Sequence, residues 1–271
     1  MENTNFKMGE RFIPSIKEWP EDSRKMFLAN YVWASQFVED KIILDCACGS
    51  GYGSDILSNR ANQVIGADVD FGIINYAKKN YPKSNIQFHN FSSIAIPYPD
   101  NYFDVIVSFD TIEHVIDDDK MLLEFKRVTK PDGIIIISTP LRYYRIDQGD
   151  KELFDNTHIR EYSAYEWCNL LTHFFQHGDF FSRDSDFNFH KINPENYSGS
   201  PFEVGHVILY NRFLNENTIN QIKHKISVHL TIKIKDLEKE LFFCQEELKK
   251  LNSFKNLLKL MIKKIQRKFF S

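Results

Sequence analysis

An apolar strand that stops at an acidic residue and runs straight into a glycine-rich turn constrains this chain more than any other feature: Ile43 to Ser54, ILDCACGSGYGS. Glycines at positions 49, 51 and 53 let the backbone turn tightly and approach a ligand closely, where side chains would obstruct it. The next apolar run, Val64-Ile65-Gly66-Ala67, ends in a second acidic residue, Asp68. In an open α/β sheet that is where a carboxylate meets ribose hydroxyls. Two carboxylates at successive strand ends, with a glycine turn between them, point to a nucleoside ligand.

The turn reads G-x-G-x-G rather than G-x-G-x-x-G, and no following helix start offers a clear pyrophosphate cradle, which favours S-adenosylmethionine over NAD. The run Asp45-Cys46-Ala47-Cys48-Gly49-Ser50-Gly51 resembles the first motif of class I S-adenosylmethionine-dependent methyltransferases. The resemblance continues through Asp68, Phe103-Asp104-Val105-Ile106-Val107-Ser108, Ile112-Glu113-His114-Val115 and Arg127 to Gly133, ahead of a strand over 134–138. It covers roughly residues 40–140 with its blocks in the right order, which makes it far more specific than a glycine loop alone. It implies a Rossmann-like sheet, mostly parallel with an antiparallel edge. It also implies S-adenosylmethionine as cofactor, held by Asp45, Cys46, Gly49, Gly51, Asp68, Val69, Ser92 and Phe109.

Two further stretches narrow the resemblance. Gly9-Glu10-Arg11-Phe12 with Pro14 and then Tyr31, and His158-Ile159-Arg160-Glu161-Tyr162-Ser163 ahead of an amphipathic helix, are similar to methyltransferases found among bacterial surface-polysaccharide enzymes. The chain also departs from the family pattern. Ala47 stands where the first glycine is usual, Asp132 replaces the first glycine of Pro-Gly-Gly, and Ser92 falls where an aspartate commonly contacts the adenine amino group.

With 271 residues, 42% hydrophobic and 26% charged, the chain can bury one substantial core and still carry an appendage. Its 24 phenylalanines point to aromatic packing beyond the sheet. Strands alternate with helices as a parallel sheet covered on both faces requires. Helices are expected over 22–38, 53–59, 71–80, 118–128 and 164–173, and strands over 42–45, 63–68, 86–89, 103–109 and 133–138. Two late strands, near 179–183 and 204–210, are expected to form an antiparallel edge hairpin. The methyltransferase domain is expected to span 1–215.

Beyond it, Leu230, Ile234, Leu237, Leu241, Cys244, Leu248 and Leu251 keep a four-three spacing, continued by Lys255, Leu258, Ile262, Ile265 and Phe269. That register predicts a coiled coil in a tail over 216–271, pairing through residues 230–269 with a second copy or a partner protein. Six basic and no acidic residues lie in 253–271, so the formal charge of −3 divides into +6 there and −9 elsewhere. Basic residues interleaved with apolar ones fit either an anionic membrane surface or a coiled-coil end with a solvated lysine face. The acidic body argues against nucleic acid. The first 25 residues are polar, no apolar run reaches the ~18 residues of a spanning helix, and Cys46 and Cys48 lack a second pair at zinc-ligand spacing. The expectation is a reducing, cytoplasmic setting, with peripheral contact at the inner membrane face where the basic tail docks.

Methyl transfer from a sulfonium is an in-line displacement, so the protein must align the acceptor and exclude water. A hydroxyl acceptor also needs a base near its point of attack, whereas an amine mainly needs to arrive uncharged. His114, with Asp110 four positions earlier, should stand at the carboxyl edge of the sheet, where ligands bind in such folds. His158 follows the fifth strand in a polar loop with Arg160 and Glu161, and the resemblance places that segment over the substrate. His114, His158 and Asp110 are therefore the candidate catalytic residues. Asp117-Asp118-Asp119 fit a helix N-terminus better than a metal site, so no metal is expected. Arg142, Tyr143, Tyr144 and Arg145 are candidates for a substrate wall. The leading expectation is O-methylation of a sugar or glycan intermediate, with N-methylation of an amino sugar or another small molecule as the near alternative. A non-catalytic scaffold recruiting partners through the coiled coil is the competing class. Intact Asp45, Gly49, Gly51 and Asp68 argue against it.

Overall fold

The computed structural model describes residues 12–13, 20–141, 157–175, 177–184, 186–192 and 204–211. The first helix, α1 (Glu21–Ala34), leads through a 3-10 turn (Ser35–Phe37) into β1 (Ile42–Cys46) and α2 (Tyr52–Ser58). Then follow β2 (Gln63–Asp68), α3 (Phe71–Asn80), β3 (Ile86–Asn90) and β4 (Phe103–Ser108), a second 3-10 turn (Ile112–His114), α4 (Asp118–Val128) and β5 (Thr129–Pro140). The described part ends with α5 (Ala164–Phe174), β6 (His177–Arg183), β7 (Phe189–Lys191) and β8 (Val204–Tyr210). The coiled-coil register at 230–269, the basic tail and residues 142–145 lie outside the described residues. Among the described residues no helix is long and apolar enough to cross a membrane.

One eight-stranded sheet runs in the order β3-β2-β1-β4-β5-β8-β6-β7. The strands from β3 to β5 are parallel, and β8, β6 and β7 add antiparallel pairings. Chain order reverses between β1 and β4, the switch point at which open α/β sheets leave a crevice outside the carboxyl ends of their strands. Near-continuous apolar runs such as Ile42-Ile43-Leu44 and Ile134 to Ile137 suit strands covered on both faces. Leu44, Ile65, Ile106, Ile135 and Val207 carry the sheet's share of the core, against Phe125 of α4 and Trp167 of α5.

Local chemistry sets the helix starts. The Asp70 carboxylate accepts from the Gly72 and Ile73 amides at 2.7 and 3.1 Å and so caps α3. Ser163 and Glu166 form a reciprocal capping box at α5. Trp33 of α1 stacks flat on Phe189 at 4.5 Å and meets Phe181 edge-on, so aromatic packing does extend beyond the parallel sheet.

Three expectations change. The strands near 179–183 and 204–210 do pair antiparallel, but β8 is inserted between β5 and β6, and the edge belongs to β7. The physical reason lies in β8 itself: Gly205 to Tyr210 is buried throughout, which suits an interior strand, whereas Phe189-His190-Lys191 is short and partly exposed. Secondly, β5 begins at Thr129 rather than 133, because Thr129 already pairs with Phe103 across a register shift. The helix expected over 22–38 ends at Ala34 and tightens into the 3-10 turn.

Candidate functional site

The glycine turn between β1 and α2 is built from left-handed backbone at Ala47 (φ 60°), Gly49 (φ 52°) and Gly51 (φ 88°). The Cys48 amide ties it to the end of β2 by donating to the Ala67 carbonyl at 2.9 Å. A Cβ on Gly51 would come within 2.8 Å of the Ala77 Cβ and 2.9 Å of Phe88, and one on Gly53 would come within 2.1 Å of the Tyr31 ring. At Gly49 a Cβ would meet nothing within 4 Å. The turn is thus packed on its inner side and open at its crest, a cradle that a ligand can fill. Asp68 stands directly across from it: one carboxylate oxygen accepts from the Gly49 amide at 3.1 Å and the other from the Asp70 amide at 2.9 Å. Val69 beside it is 66% exposed, an apolar surface at the rim. Ser92 lies two residues beyond Asn90, the strand partner of Asp68, and its hydroxyl accepts from the Ile94 amide at 3.4 Å.

Asp45 and Cys46 play a different part. Asp45 is fully buried and accepts from the Tyr31 hydroxyl at 3.0 Å and the Ser54 hydroxyl at 2.6 Å, so both oxygens brace the turn from beneath. Burial pushes its carboxyl up to about 7. The Cys46 side chain sits in the core, where burial raises its thiol well above the ordinary range, so its contribution at the turn is its backbone.

The second half of the site occupies the carboxyl ends of β4 and β5. Phe109 packs edge-on against Tyr31 at 5.1 Å, linking this half to the glycine turn. Asp110 adopts φ 48° and accepts from the Ser138 hydroxyl at 2.8 Å. Non-glycine residues in that region carry strain of order 1–3 kcal/mol and cluster at functional sites. Glu113, 1% exposed, accepts from the Thr139 hydroxyl at 3.0 Å through one oxygen, and burial raises its carboxyl well above the usual range. Its backbone carbonyl takes the Ile159 and Arg160 amides at 2.8 and 3.2 Å. Those two bonds bring the segment after β5 onto the 3-10 turn. His114 and His158, distant in sequence, meet edge-to-face with ring centroids 4.9 Å apart. His114 Nδ1 lies 3.2 Å from the Thr157 carbonyl and His158 Nδ1 2.7 Å from a Glu161 oxygen.

Two of the three aspartates at the start of α4 make contacts within the fold. Asp118 accepts from the Tyr162 hydroxyl at 2.7 Å and pairs with Arg160, while Asp117 pairs with Lys120 at 2.8 Å. The two Asp118 contacts hold the segment that carries His158 down on the start of α4. All three candidate catalytic residues therefore share one edge of the sheet. Sequence reasoning left Glu113, Thr139 and Glu161 without a role there. For Glu113 the signal was present, since it adjoins His114, but its burial and its grip on Ile159 and Arg160 are tertiary.

Residues 44–137 match the family model described as a methyltransferase domain. A Mycolicibacterium smegmatis protein described as a probable S-adenosylmethionine-dependent methyltransferase is 32% identical over 163 residues, 60% of this chain and 62% of that protein. A malonyl-[acyl-carrier protein] O-methyltransferase from Hamiltonella defensa is 30% identical over 127 residues, 46% of this chain and 48% of that protein. The chain thus spans less than two thirds of the length of either relative. Among solved structures, a SAM-dependent methyltransferase from Aquifex aeolicus superposes with a TM-score of 0.51 at 21% identity, covering 73% of this chain and all of that one. The fold is the Rossmann-like methyltransferase fold.

Proposed function

We propose that this chain, whose residues 44–137 match a methyltransferase-domain model, transfers the methyl group of S-adenosylmethionine to a hydroxyl of a small acceptor, a sugar or glycan intermediate. The observation that carries the proposal is the pairing, on one sheet edge, of an open glycine turn faced by Asp68 with a His114–His158 cluster. The cofactor supplies an electrophilic methyl on a sulfonium. Asp68 accepts the ribose hydroxyls, the crest at Gly49 admits close approach, and Val69 offers an apolar face at the rim. Tyr31 and Phe109 close the space between the two halves against water. His114 stands 36% exposed at its side chain and acts as base or acceptor-positioning group, with Asp110 and His158 beside it. As the acceptor oxygen bonds to the methyl carbon, the carbon–sulfur bond would break toward sulfur, and the hydroxyl proton would pass to His114 or to solvent water.

Support for a sugar comes from the similarity of the segments around Phe12 and His158–Ser163 to surface-polysaccharide enzymes. The relatives in hand do not share one acceptor. The 230–269 register supports pairing with a second copy or a partner protein, and the basic end of the tail supports contact with an anionic membrane face. The test is methyl transfer from labelled S-adenosylmethionine to sugar nucleotides, lipid-linked sugars and amine analogues. Expected is hydroxyl-dependent product, with kcat lowered roughly 100-fold or more in His114→Gln. Transfer to amines alone would replace oxygen by nitrogen, and an unchanged rate in His114→Gln would remove the histidine from the mechanism.

A further inference from the structure

Methyl transfer to a hydroxyl needs a base or a positioned oxygen, yet the carboxyl edge holds more than that. Glu113, His114 and His158 each bring one metal-ligating atom to a common point, all within 4.8 Å of one another. Glu113 Oε1 is buried with no hydrogen-bond partner, although its sister oxygen is held by Thr139. A buried carboxyl oxygen left unsatisfied costs about 1–3 kcal/mol or more. It lies 4.0 Å from His114 Nε2. The two imidazoles are oriented alike: each turns Nδ1 toward an oxygen, the Thr157 carbonyl for His114 and the Glu161 carboxylate for His158. Donation from Nδ1 leaves Nε2 with its lone pair, and a carboxylate or carbonyl behind a histidine is the usual support of a metal-bound imidazole.

We propose that Glu113, His114 and His158 bind one divalent transition-metal ion of the zinc class, leaving coordination positions open to the acceptor's oxygen. Two imidazoles select such an ion over magnesium or calcium, which prefer oxygen. Three protein ligands with open positions are the composition of reactive rather than structural zinc sites. Ligand atoms around a tetrahedral zinc sit about 3.4 Å apart, so binding draws the three together by up to about 1.4 Å. The partly exposed His114 provides entry.

The role toward the acceptor rests on the methyltransferase proposal. The bound ion would make a coordinated hydroxyl more acidic, its proton passing to solvent water. The oxygen would then form its bond to the methyl carbon as the carbon–sulfur bond breaks toward sulfur. Histidine would thereby serve as ligand and positioning group.

The experiment uses the full chain, tag-free and stripped with chelator, titrated with Zn²⁺ by calorimetry and with Co²⁺ by absorption. S-adenosylmethionine affinity is measured on every sample. One equivalent of zinc per chain is expected, with a cobalt spectrum of nitrogen and oxygen ligands and no thiolate band. His114→Gln and His158→Gln should each lose that equivalent, Glu161→Gln should bind about tenfold more weakly, and His190→Gln, altered at a distant exposed histidine, should bind as wild type. Full S-adenosylmethionine affinity in His114→Gln would show that the fold is intact. Absence of stoichiometric zinc in a wild-type sample that binds S-adenosylmethionine, or equal zinc binding in His114→Gln, would overturn the site. Zinc binding without S-adenosylmethionine binding would instead reject methyl transfer and leave the ion site standing.

Discussion

Gly53 and Tyr31 should show a change of sign when combined. Gly53 is the second residue of α2, where alanine is intrinsically better than glycine by about 0.5–1 kcal/mol. Its Cβ, however, would come within 2.1 Å of the ring of Tyr31, which is buried and donates its hydroxyl to Asp45 at 3.0 Å. Overpacking of this kind costs about 1–3 kcal/mol. Pushing the ring aside also orphans a buried acceptor, at about 1–3 kcal/mol. Gly53→Ala should therefore destabilise the wild type by roughly 2–4 kcal/mol, the collision outweighing helix propensity. Tyr31→Ala alone should cost about 3–5 kcal/mol. Once the ring is gone, Gly53→Ala should stabilise by about 0.5–1 kcal/mol, a coupling of roughly 3 kcal/mol in a double-mutant cycle. Urea unfolding with unchanged m-values reads all four proteins. An equal cost of Gly53→Ala in both backgrounds would refute the packing argument.

Ala47→Gly should raise stability by about 0.5–1 kcal/mol, because relief of a left-handed alanine worth about 1–2 kcal/mol exceeds the added freedom of the unfolded chain, about 0.4–1 kcal/mol; the urea midpoint should rise, and a fall would mean that the Ala47 methyl packs productively. Asp45 should impose a falling stability with pH. Its carboxyl titrates near 7 when folded against 3.8 when unfolded, so the folded chain binds the extra proton between those values and its advantage is lost as pH rises, by roughly 4 kcal/mol at most. Asp45→Asn should flatten that slope between about pH 4 and 7, and an identical slope in both proteins would place the titration elsewhere.

Most of the parallel half of the sheet was legible in the sequence because its strands are apolar runs bounded by turn residues, and β2, α3 and α4 fall at their expected bounds. What escaped was decided at long range. The buried β8 between β5 and β6 is accompanied by Arg183 and His206 both reaching Asn30 of α1, contacts 153 and 176 residues apart along the chain. The short β7 carries no apolar alternation and is fixed by Phe189 stacking on Trp33. At the site, Asp68 lies across from the glycine turn that the motif singled out, and Ala47 sits in the left-handed backbone conformation that makes glycine usual there. The same motif could not show that Asp45 is spent on Tyr31 and Ser54, nor that His158 reaches His114, since the latter follows from two amides closing on the Glu113 carbonyl.

Calorimetric titration of the full chain with S-adenosylmethionine, S-adenosylhomocysteine and NAD tests the central claim most directly, with Asp68→Ala measured alongside. The predicted result is micromolar binding of both adenosyl ligands and none of NAD, with affinity reduced roughly 100-fold in Asp68→Ala through the loss of charge-assisted bonds to two hydroxyls. Failure of a folded wild-type sample to bind either adenosyl ligand, or unchanged affinity in Asp68→Ala, would contradict the account.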